Sequence, residues 1–253
     1  MKLFYRTLGE GQPLIILHGL FGSADNWQTH AKKLSEYFKV YLVDQRNHGH
    51  SPHASEIDYS LMANDLYELV AEEGLRDILL LGHSMGGKTI MRFAQQYNFL
   101  IDKMIVADMG VRQYPPHHDT VFKGLFAVDV DNCPSRKDAE SRVSQFVKDE
   151  GTKQFLMKNL YWKTPEKLAW RFNLDAIYSQ RENLMQAIPL EKIEAHTLFL
   201  RGELSNYILD DDMPSIMEIA PNATFETING AGHWLHAEAP TEFLERTMAY
   251  YGI

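Results

Sequence analysis

The sequence predicts an α/β fold, in which a mostly parallel central sheet carries helices on both faces. The first observation is the length, because 253 residues can bury one large core of this kind. The second is a set of short apolar runs, which are typical of strands buried on both faces of a parallel sheet. The third is the alternation of these runs with helical patterns along the chain.

Five such runs define the predicted core strands, at residues 14–17, 40–43, 78–81, 104–107 and 197–200. Residues 1–6 also form a strand-like pattern. One helix is predicted to begin at Ser60 and to end at Gly74, because apolar residues between them recur at helical spacing. The last helix is predicted to begin at Pro240.

Residues 111–190 interrupt this alternation. No strand-like run occurs there, and aromatic residues and methionines are mixed with many charges. We therefore expect a mainly helical cap at residues 111–190, inserted into a core formed by residues 1–110 and 191–253. Because the segment begins just past one core strand and ends just before another, the cap should lie above the strand ends.

The composition argues against several classes of function. The formal net charge is -9 and no Lys/Arg run stands out, so a nucleic-acid partner is not expected. No apolar run approaches the ~20 residues of a membrane span, and no charged-then-apolar leader is present, so we expect a soluble cytoplasmic protein without stable membrane insertion. The single cysteine, Cys133, cannot form an internal disulfide. Nothing in the sequence indicates an oligomeric state.

Histidines cluster at two places in the chain. His48, His50 and His53 form one group, and residues 117–119 (His-His-Asp) form the other. No matching cysteine or carboxylate cluster accompanies either group, so the prediction is no metal and no cofactor.

Residues 82–89 (GHSMGGKT) satisfy two catalytic motifs at once. G-x-S-x-G is the strand-to-helix elbow that presents a nucleophilic serine, here Ser84. G-x-x-x-x-G-K-[ST] is the loop that binds nucleotide phosphates, here with Lys88. The elbow is favoured, since a phosphate loop usually follows the first strand of its sheet and this one follows the third apolar run. Two distant loops also fit the elbow, namely Gly-rich residues 18–23 and the histidine loop at residues 230–234.

Four blocks carry a resemblance to a known family: HGLFGS at residues 18–23, DQRNHG at 44–49, GHSMGGK at 82–88 and GAGHWLHAE at 230–238. In this order and spacing they resemble the α/β-hydrolase superfamily, and specifically the YbfF-type acyl esterases. The match covers nearly the whole chain. The resemblance implies the α/β-hydrolase fold and a serine hydrolase.

The resemblance also implies the catalytic roles. Ser84 would be the nucleophile and His233 the base, while the backbone N–H groups of Met85 and Leu20 would hold the oxyanion, with Phe21 the less favoured donor. Most hydrolases of this fold place the acid after the strand that follows the cap, where this chain has Ser205. Asp108, at the end of the preceding core strand, is the predicted substitute, as in the YbfF-type group. Two carboxylates stay open as alternative acids, Glu203 and Asp210.

The predicted activity is hydrolysis of carboxylic esters through an acyl-enzyme on Ser84, extending to acyl thioesters such as acyl-CoA. Four aromatic residues are predicted to line the acyl pocket: Trp162, Trp170, Phe172 and Trp234. Two alternatives stay open. A lyase or a carbon–carbon bond hydrolase would use the same triad, and a phosphate-loop nucleotide-binding enzyme would use Lys88.

Overall fold

A computed structural model of the protein describes residues 1–116 and 118–253. In these ranges the chain forms nine strands: Tyr5–Leu8 (β1), Pro13–Leu17 (β2), Lys39–Val43 (β3), Ile78–His83 (β4), Ile101–Ala107 (β5), Leu160–Thr164 (β6), Lys167–Trp170 (β7), His196–Gly202 (β8) and Ala223–Ile228 (β9). It also forms eleven α-helices: Gln28–Leu34 (α1), Tyr59–Glu72 (α2), Met85–Tyr97 (α3), Asp119–Phe126 (α4), Arg136–Val143 (α5), Glu150–Met157 (α6), Leu174–Ser179 (α7), Arg181–Met185 (α8), Met213–Ile219 (α9), Leu235–Glu238 (α10) and Pro240–Tyr251 (α11).

Seven of the strands form one sheet in the order β1-β3-β2-β4-β5-β8-β9. Only β1 runs antiparallel to its neighbour, and the other strands are parallel. The five predicted runs lie inside β2, β3, β4, β5 and β8, which confirms the predicted fold class. The sequence did not indicate β9, because this edge strand alternates polar and apolar residues and is largely half-buried.

The helices cover both faces of the sheet. One apolar cluster joins the sheet to α2 and α3 through residues such as Leu66 and Phe93. A second cluster joins the opposite face to α1 and α11 through residues such as Leu34 and Phe243. Helices packed on both faces therefore fix the positions of the strands and of the loops that follow the strand ends.

Two helix boundaries can be compared with the sequence signals. α2 begins before Ser60, because the Asp58 carboxylate accepts a hydrogen bond from the N–H of Leu61 at 2.8 Å and caps the helix. Gly74, at a φ of 64°, follows the end of α2 as predicted. α11 begins at Pro240, also as predicted.

Five helices, α4 to α8, and the hairpin of β6 and β7 lie between β5 and β8. All of them fall within the range 111–190 in which a cap was predicted. We call these elements the cap and the rest of the chain the core. The expectation that this range has no strand was wrong. The hairpin escaped prediction because much of it is exposed and therefore forms no apolar run. A third apolar cluster joins these elements to Phe21 and Met85 of the core.

Candidate active site

A sharp turn between β4 and α3 carries Ser84. This serine has a φ of 53° and a ψ of -117°, a conformation that side-chain-bearing residues rarely adopt. A β-carbon on Gly82 would lie 2.4 Å from the Gly86 oxygen, and one on Gly86 would lie 2.5 Å from the Leu17 oxygen. Both positions therefore require glycine, and the motif G-x-S-x-G is explained by close packing of the turn.

Ser84, His233 and Asp108 form a continuous line of hydrogen-bonded groups. His233 Nε2 lies 3.0 Å from Ser84 Oγ, and His233 Nδ1 lies 2.7 Å from Asp108 Oδ2. A proton on Nδ1, donated to the carboxylate, leaves the Nε2 lone pair facing the serine hydroxyl. Asp108 is fully buried, whereas the side chain of His233 is 21% exposed. The imidazole is thus oriented from its buried side and accessible near the serine.

The Asp108 carboxylate is held by donors from the segment that follows β8. The N–H of Gly202 donates to Oδ1 at 3.1 Å, and the Ser205 hydroxyl donates to Oδ2. The position at which most hydrolases of this fold have their acid is Ser205 here, and it contacts Asp108, the predicted acid. The sequence showed that Ser205 departs from the common pattern, but it did not predict the hydrogen bond between Ser205 and Asp108.

The two alternative acids lie elsewhere. Glu203 accepts a hydrogen bond from the N–H of Gly230 at 2.7 Å. Asp210 is largely exposed and pairs with Arg201 at 2.7 Å. Neither carboxylate contacts His233.

The three candidate oxyanion donors are the backbone N–H groups of Leu20, Phe21 and Met85. They differ in whether they already donate a hydrogen bond within the protein. In the described part of the chain, the N–H groups of Leu20 and Met85 have no hydrogen-bond acceptor. The N–H of Phe21, in contrast, donates to His48 Nε2 at 3.2 Å. Leu20 and Met85 both line a cavity next to Ser84, so their N–H groups are the better candidates.

Two residues that the sequence did not assign to the site contact His233. The Tyr207 ring stacks on the imidazole, with 3.9 Å between centroids and 17° between planes. His83 Nε2 lies 2.9 Å from the main-chain oxygen of His233. Burial holds the pKa of His83 well below its usual value, so the ring is neutral and its N–H can donate to this oxygen. This contact connects the end of β4 to the loop that carries His233.

A second histidine, His236, lies three residues after His233 in the sequence. Its ring stacks on Trp27 at 4.5 Å, and burial lowers its pKa to about 3. It is packed behind the site, and the group beside Ser84 is His233.

Two cavities meet at Ser84 and Leu20. The inner cavity is lined by core and cap residues that include Met85, Met109, Leu184 and Met185. The outer cavity is lined by residues that include Phe155, His233 and Trp234. Both are mostly apolar, as small-molecule sites usually are.

Of the four predicted pocket aromatics, the structure brings one to the site. Trp234 lines the outer cavity. Trp162 is 44% exposed, and Trp170 stacks on Phe172 at 5.3 Å inside the cap cluster. These three line neither cavity. An aromatic side chain signals burial, but not the surface against which it is buried.

Lys88, which completes the second motif of residues 82–89, is fully buried. Its Nζ donates to the main-chain oxygens of Arg112, at 3.0 Å, and Gln186. Burial lowers its pKa to about 7. A phosphate loop needs a lysine that reaches the bound phosphates, and these contacts give no support to that alternative.

Within residues 1–116 and 118–253, no group of three or more His, Cys, Asp or Glu side chains is placed to hold a metal ion. His117 of the second histidine group lies outside the described residues. None of the described helices has the length and apolar character to cross a membrane.

Comparison with known proteins agrees with this geometry. A family model for the alpha/beta hydrolase fold matches residues 12–131. The sn-1-specific diacylglycerol lipase ABHD11 of Danio rerio is 34% identical over 251 residues, covering 96% of this chain and 79% of the relative. Esterase YbfF of Escherichia coli is 31% identical over 239 residues, covering 94% and 92%. A solved structure of a marine microorganism esterase has a TM-score of 0.95 and 43% identity, covering 98% of both chains. The chain therefore belongs to the α/β-hydrolase family, as an enzyme of the esterase and lipase type.

Proposed function

We propose that this protein cleaves carboxylic esters through an acyl-enzyme on Ser84, with His233 as the base and Asp108 as the orienting acid. The observation that carries the proposal is the line of hydrogen bonds from Ser84 Oγ to His233 and on to Asp108. A serine hydroxyl is a weak nucleophile at neutral pH, and this arrangement supplies the base that it needs.

In the first half of the reaction, His233 Nε2 takes the Ser84 proton while Oγ attacks the ester carbonyl carbon. The carbonyl oxygen becomes negative, and the N–H groups of Met85 and Leu20 donate to it. The ester C–O bond then breaks, and His233 gives its proton to the departing alcohol. Ser84 is left carrying the acyl group.

In the second half, a water molecule replaces the alcohol beside His233. Nε2 takes a proton from this water, the hydroxide attacks the acyl carbon, and the same two N–H groups hold the second oxyanion. The carboxylic acid leaves as Ser84 regains its proton. Throughout, Asp108 accepts the Nδ1–H bond and stabilises the imidazolium.

The two cavities suggest how the ester is oriented. The departing alcohol must take its proton from His233 Nε2, so it belongs in the outer cavity, which His233 lines. The acyl group then occupies the inner cavity, which contains Ser84 and Met85 but not His233. Because the lining of the inner cavity is mostly apolar, this orientation implies an apolar acyl group.

A thioester would react through the same groups, but the cap offers limited recognition of a charged leaving group such as coenzyme A. Arg136 donates to the main-chain oxygens of Leu160 and Met157. Arg171 lies 3.9 Å above the Tyr161 ring. Both arginines therefore make contacts within the cap and are less available to a charged leaving group. For this reason we propose oxygen esters as the main substrates.

The test is labelling with a fluorophosphonate together with a panel of nitrophenyl esters, alkyl esters and one acyl thioester. We expect the natural protein to be labelled on Ser84 and to hydrolyse the esters. Ser84→Ala should abolish labelling and lower kcat by about 10⁴-fold or more. The exposed serine Ser55 gives a matched control, and Ser55→Ala should label normally. Undiminished labelling of Ser84→Ala would contradict the proposal, as would elimination or carbon–carbon cleavage in place of ester hydrolysis.

A further inference from the structure

We propose that Asn159 of the cap and His48 of the core are positioning residues for the oxyanion hole, so that docking of the cap helps to build the hole. Both side chains hold Phe21, the residue directly after Leu20. This inference rests on the proposed function, because it concerns the Leu20 donor of that site.

On the core side, His48 holds the N–H of Phe21. His48 Nε2 accepts this N–H at 3.2 Å, and Nδ1 lies 2.9 Å from the main-chain oxygen of Arg46. Burial lowers the pKa of His48 to about 3, so its ring is neutral. A neutral ring that donates from Nδ1 must present an Nε2 lone pair, which matches the Phe21 contact.

On the cap side, Asn159 holds the carbonyl group of Phe21. The buried Asn159 amide donates from Nδ2 to the Phe21 oxygen at 2.9 Å, although the two residues are far apart in sequence. Asn159 is itself fixed within the cap. Its Nδ2 also donates to the main-chain oxygen of Phe155 at 3.2 Å, and the main-chain oxygen of Asn159 accepts the N–H of Arg171 at 2.8 Å.

These contacts matter because Phe21 has a φ of 59°, in the left-handed region that non-glycine residues avoid. Such a conformation persists only where its surroundings enforce it. The Phe21 ring also packs against Phe122 and Phe172 of the cap, with centroids 5.5 and 5.0 Å away. Loss of the Asn159 contact would let the backbone relax and shift the neighbouring Leu20 N–H. A displacement of about 1 Å in a catalytic group can cost about 10²-fold in rate.

The test uses Asn159→Leu, which is similar in size but has no donor, and Asn159→Asp, which keeps the shape and replaces the amide nitrogen with oxygen. We expect kcat to fall by about 10- to 100-fold, because the loss appears in the transition state. KM should change by less than about threefold. A trifluoromethyl ketone forms a serine adduct that carries an oxyanion, so its affinity should weaken in proportion to kcat/KM. Asn159→Asp keeps the test decisive if Asn159→Leu does not fold.

Asn173→Leu is the matched control. Asn173 also joins cap to core through its amide, which donates to Asn47 Oδ1 and to the Ala54 oxygen at 3.2 Å and not to the main chain of Phe21. We expect a similar loss of thermal stability to that of Asn159→Leu, with kcat and inhibitor affinity close to those of the natural protein. Full kcat in both Asn159 variants would overturn the inference, as would an equal loss of kcat in Asn173→Leu. Since inactivity of Ser84→Ala tests the proposed function separately, the two failures can be told apart.

Discussion

At the scale of single residues, Asp108 is where the proposed triad differs from that of most hydrolases of this fold, which have the acid after the strand that follows the cap. Its carboxylate is completely buried and accepts hydrogen bonds from three groups: the N–H of Gly202, the hydroxyl of Ser205 and Nδ1 of His233. Three donors offset the cost of removing a charge from water. Asp108 also has a φ of 50°, and its N–H donates to the Leu200 oxygen at 2.8 Å. A turn with a left-handed residue at the end of β5 therefore places the carboxylate of the proposed acid beside His233 Nδ1.

Asp108→Asn tests this role. The amide preserves the shape but cannot hold His233 in the same tautomer, so we expect kcat to fall by about 10³- to 10⁴-fold. Glu203→Gln should leave kcat nearly unchanged, because Glu203 caps the Gly230 loop and does not contact His233. Steady-state hydrolysis of a nitrophenyl ester measures both variants. Near-normal kcat in Asp108→Asn would move the acid to another residue.

At the scale of elements, α3 connects Ser84, the proposed nucleophile, to the two segments at which the cap joins the core. Lys88 lies one turn after Ser84 and donates to the oxygens of Arg112 and Gln186, in the two segments that connect cap and core. These segments also bond to each other, since the N–H of Ile188 donates to the Val111 oxygen at 2.8 Å. The Lys88 ammonium lies 4.9 Å from the centre of the Tyr114 ring. No carboxylate pairs with Lys88 among the residues that the structure describes.

The buried Lys88 should make stability depend on pH. Its pKa is lowered to about 7 in the folded protein, against an ordinary value of 10.5. Between these values the unfolded chain binds more protons, so this residue makes the free energy of unfolding rise as pH increases from about 7 towards 10.5. In urea unfolding across this range, the natural protein should gain stability relative to Lys88→Met. The exposed Lys32→Met is the control, and its curve should run parallel to that of the natural protein. If the Lys88→Met curve is also parallel, the lysine is not a neutral group at high pH in the fold.

At the scale of the whole molecule, the site lies where cap and core share one apolar cluster. That cluster includes Phe21 and Met85 of the core and Leu184 of the cap. The inner cavity takes its walls from both parts, so the cap contributes directly to the space beside Ser84. Acyl selectivity should therefore depend on cap residues that lie far from the nucleophile in sequence.

Leu184→Ala tests this dependence by enlarging the inner cavity. We expect the ratio of kcat/KM for longer to shorter acyl esters to rise by roughly tenfold, since one methylene in an apolar pocket changes discrimination by about 10- to 200-fold. The ratio is measured with nitrophenyl esters that differ only in acyl length. Leu190→Ala, at a residue that is 80% exposed, should leave the ratio unchanged. A constant ratio in Leu184→Ala, with unaltered folding, would place the acyl group in the outer cavity.

The sequence by itself determined the parallel sheet, because strands buried on both faces must be apolar throughout. It also determined the Ser84 turn, because Gly82 and Gly86 are required by contacts shorter than a β-carbon allows. Both features depend on short segments of the chain, so the residue types in those segments are enough to predict them. Its place at the end of a core strand made Asp108 the preferred acid over Glu203 and Asp210, and the YbfF-type resemblance supported that choice.

Only the tertiary structure decided which side chains line the cavities beside Ser84. It placed Trp234 at the outer cavity and Trp170 in the cap cluster, although both are apolar aromatics in the sequence. It also brought Asn159 to Phe21 and Lys88 to the base of the cap, contacts that no local pattern encodes. The physical reason is that periodicity fixes which face of an element is buried, while packing between distant elements fixes what that face meets.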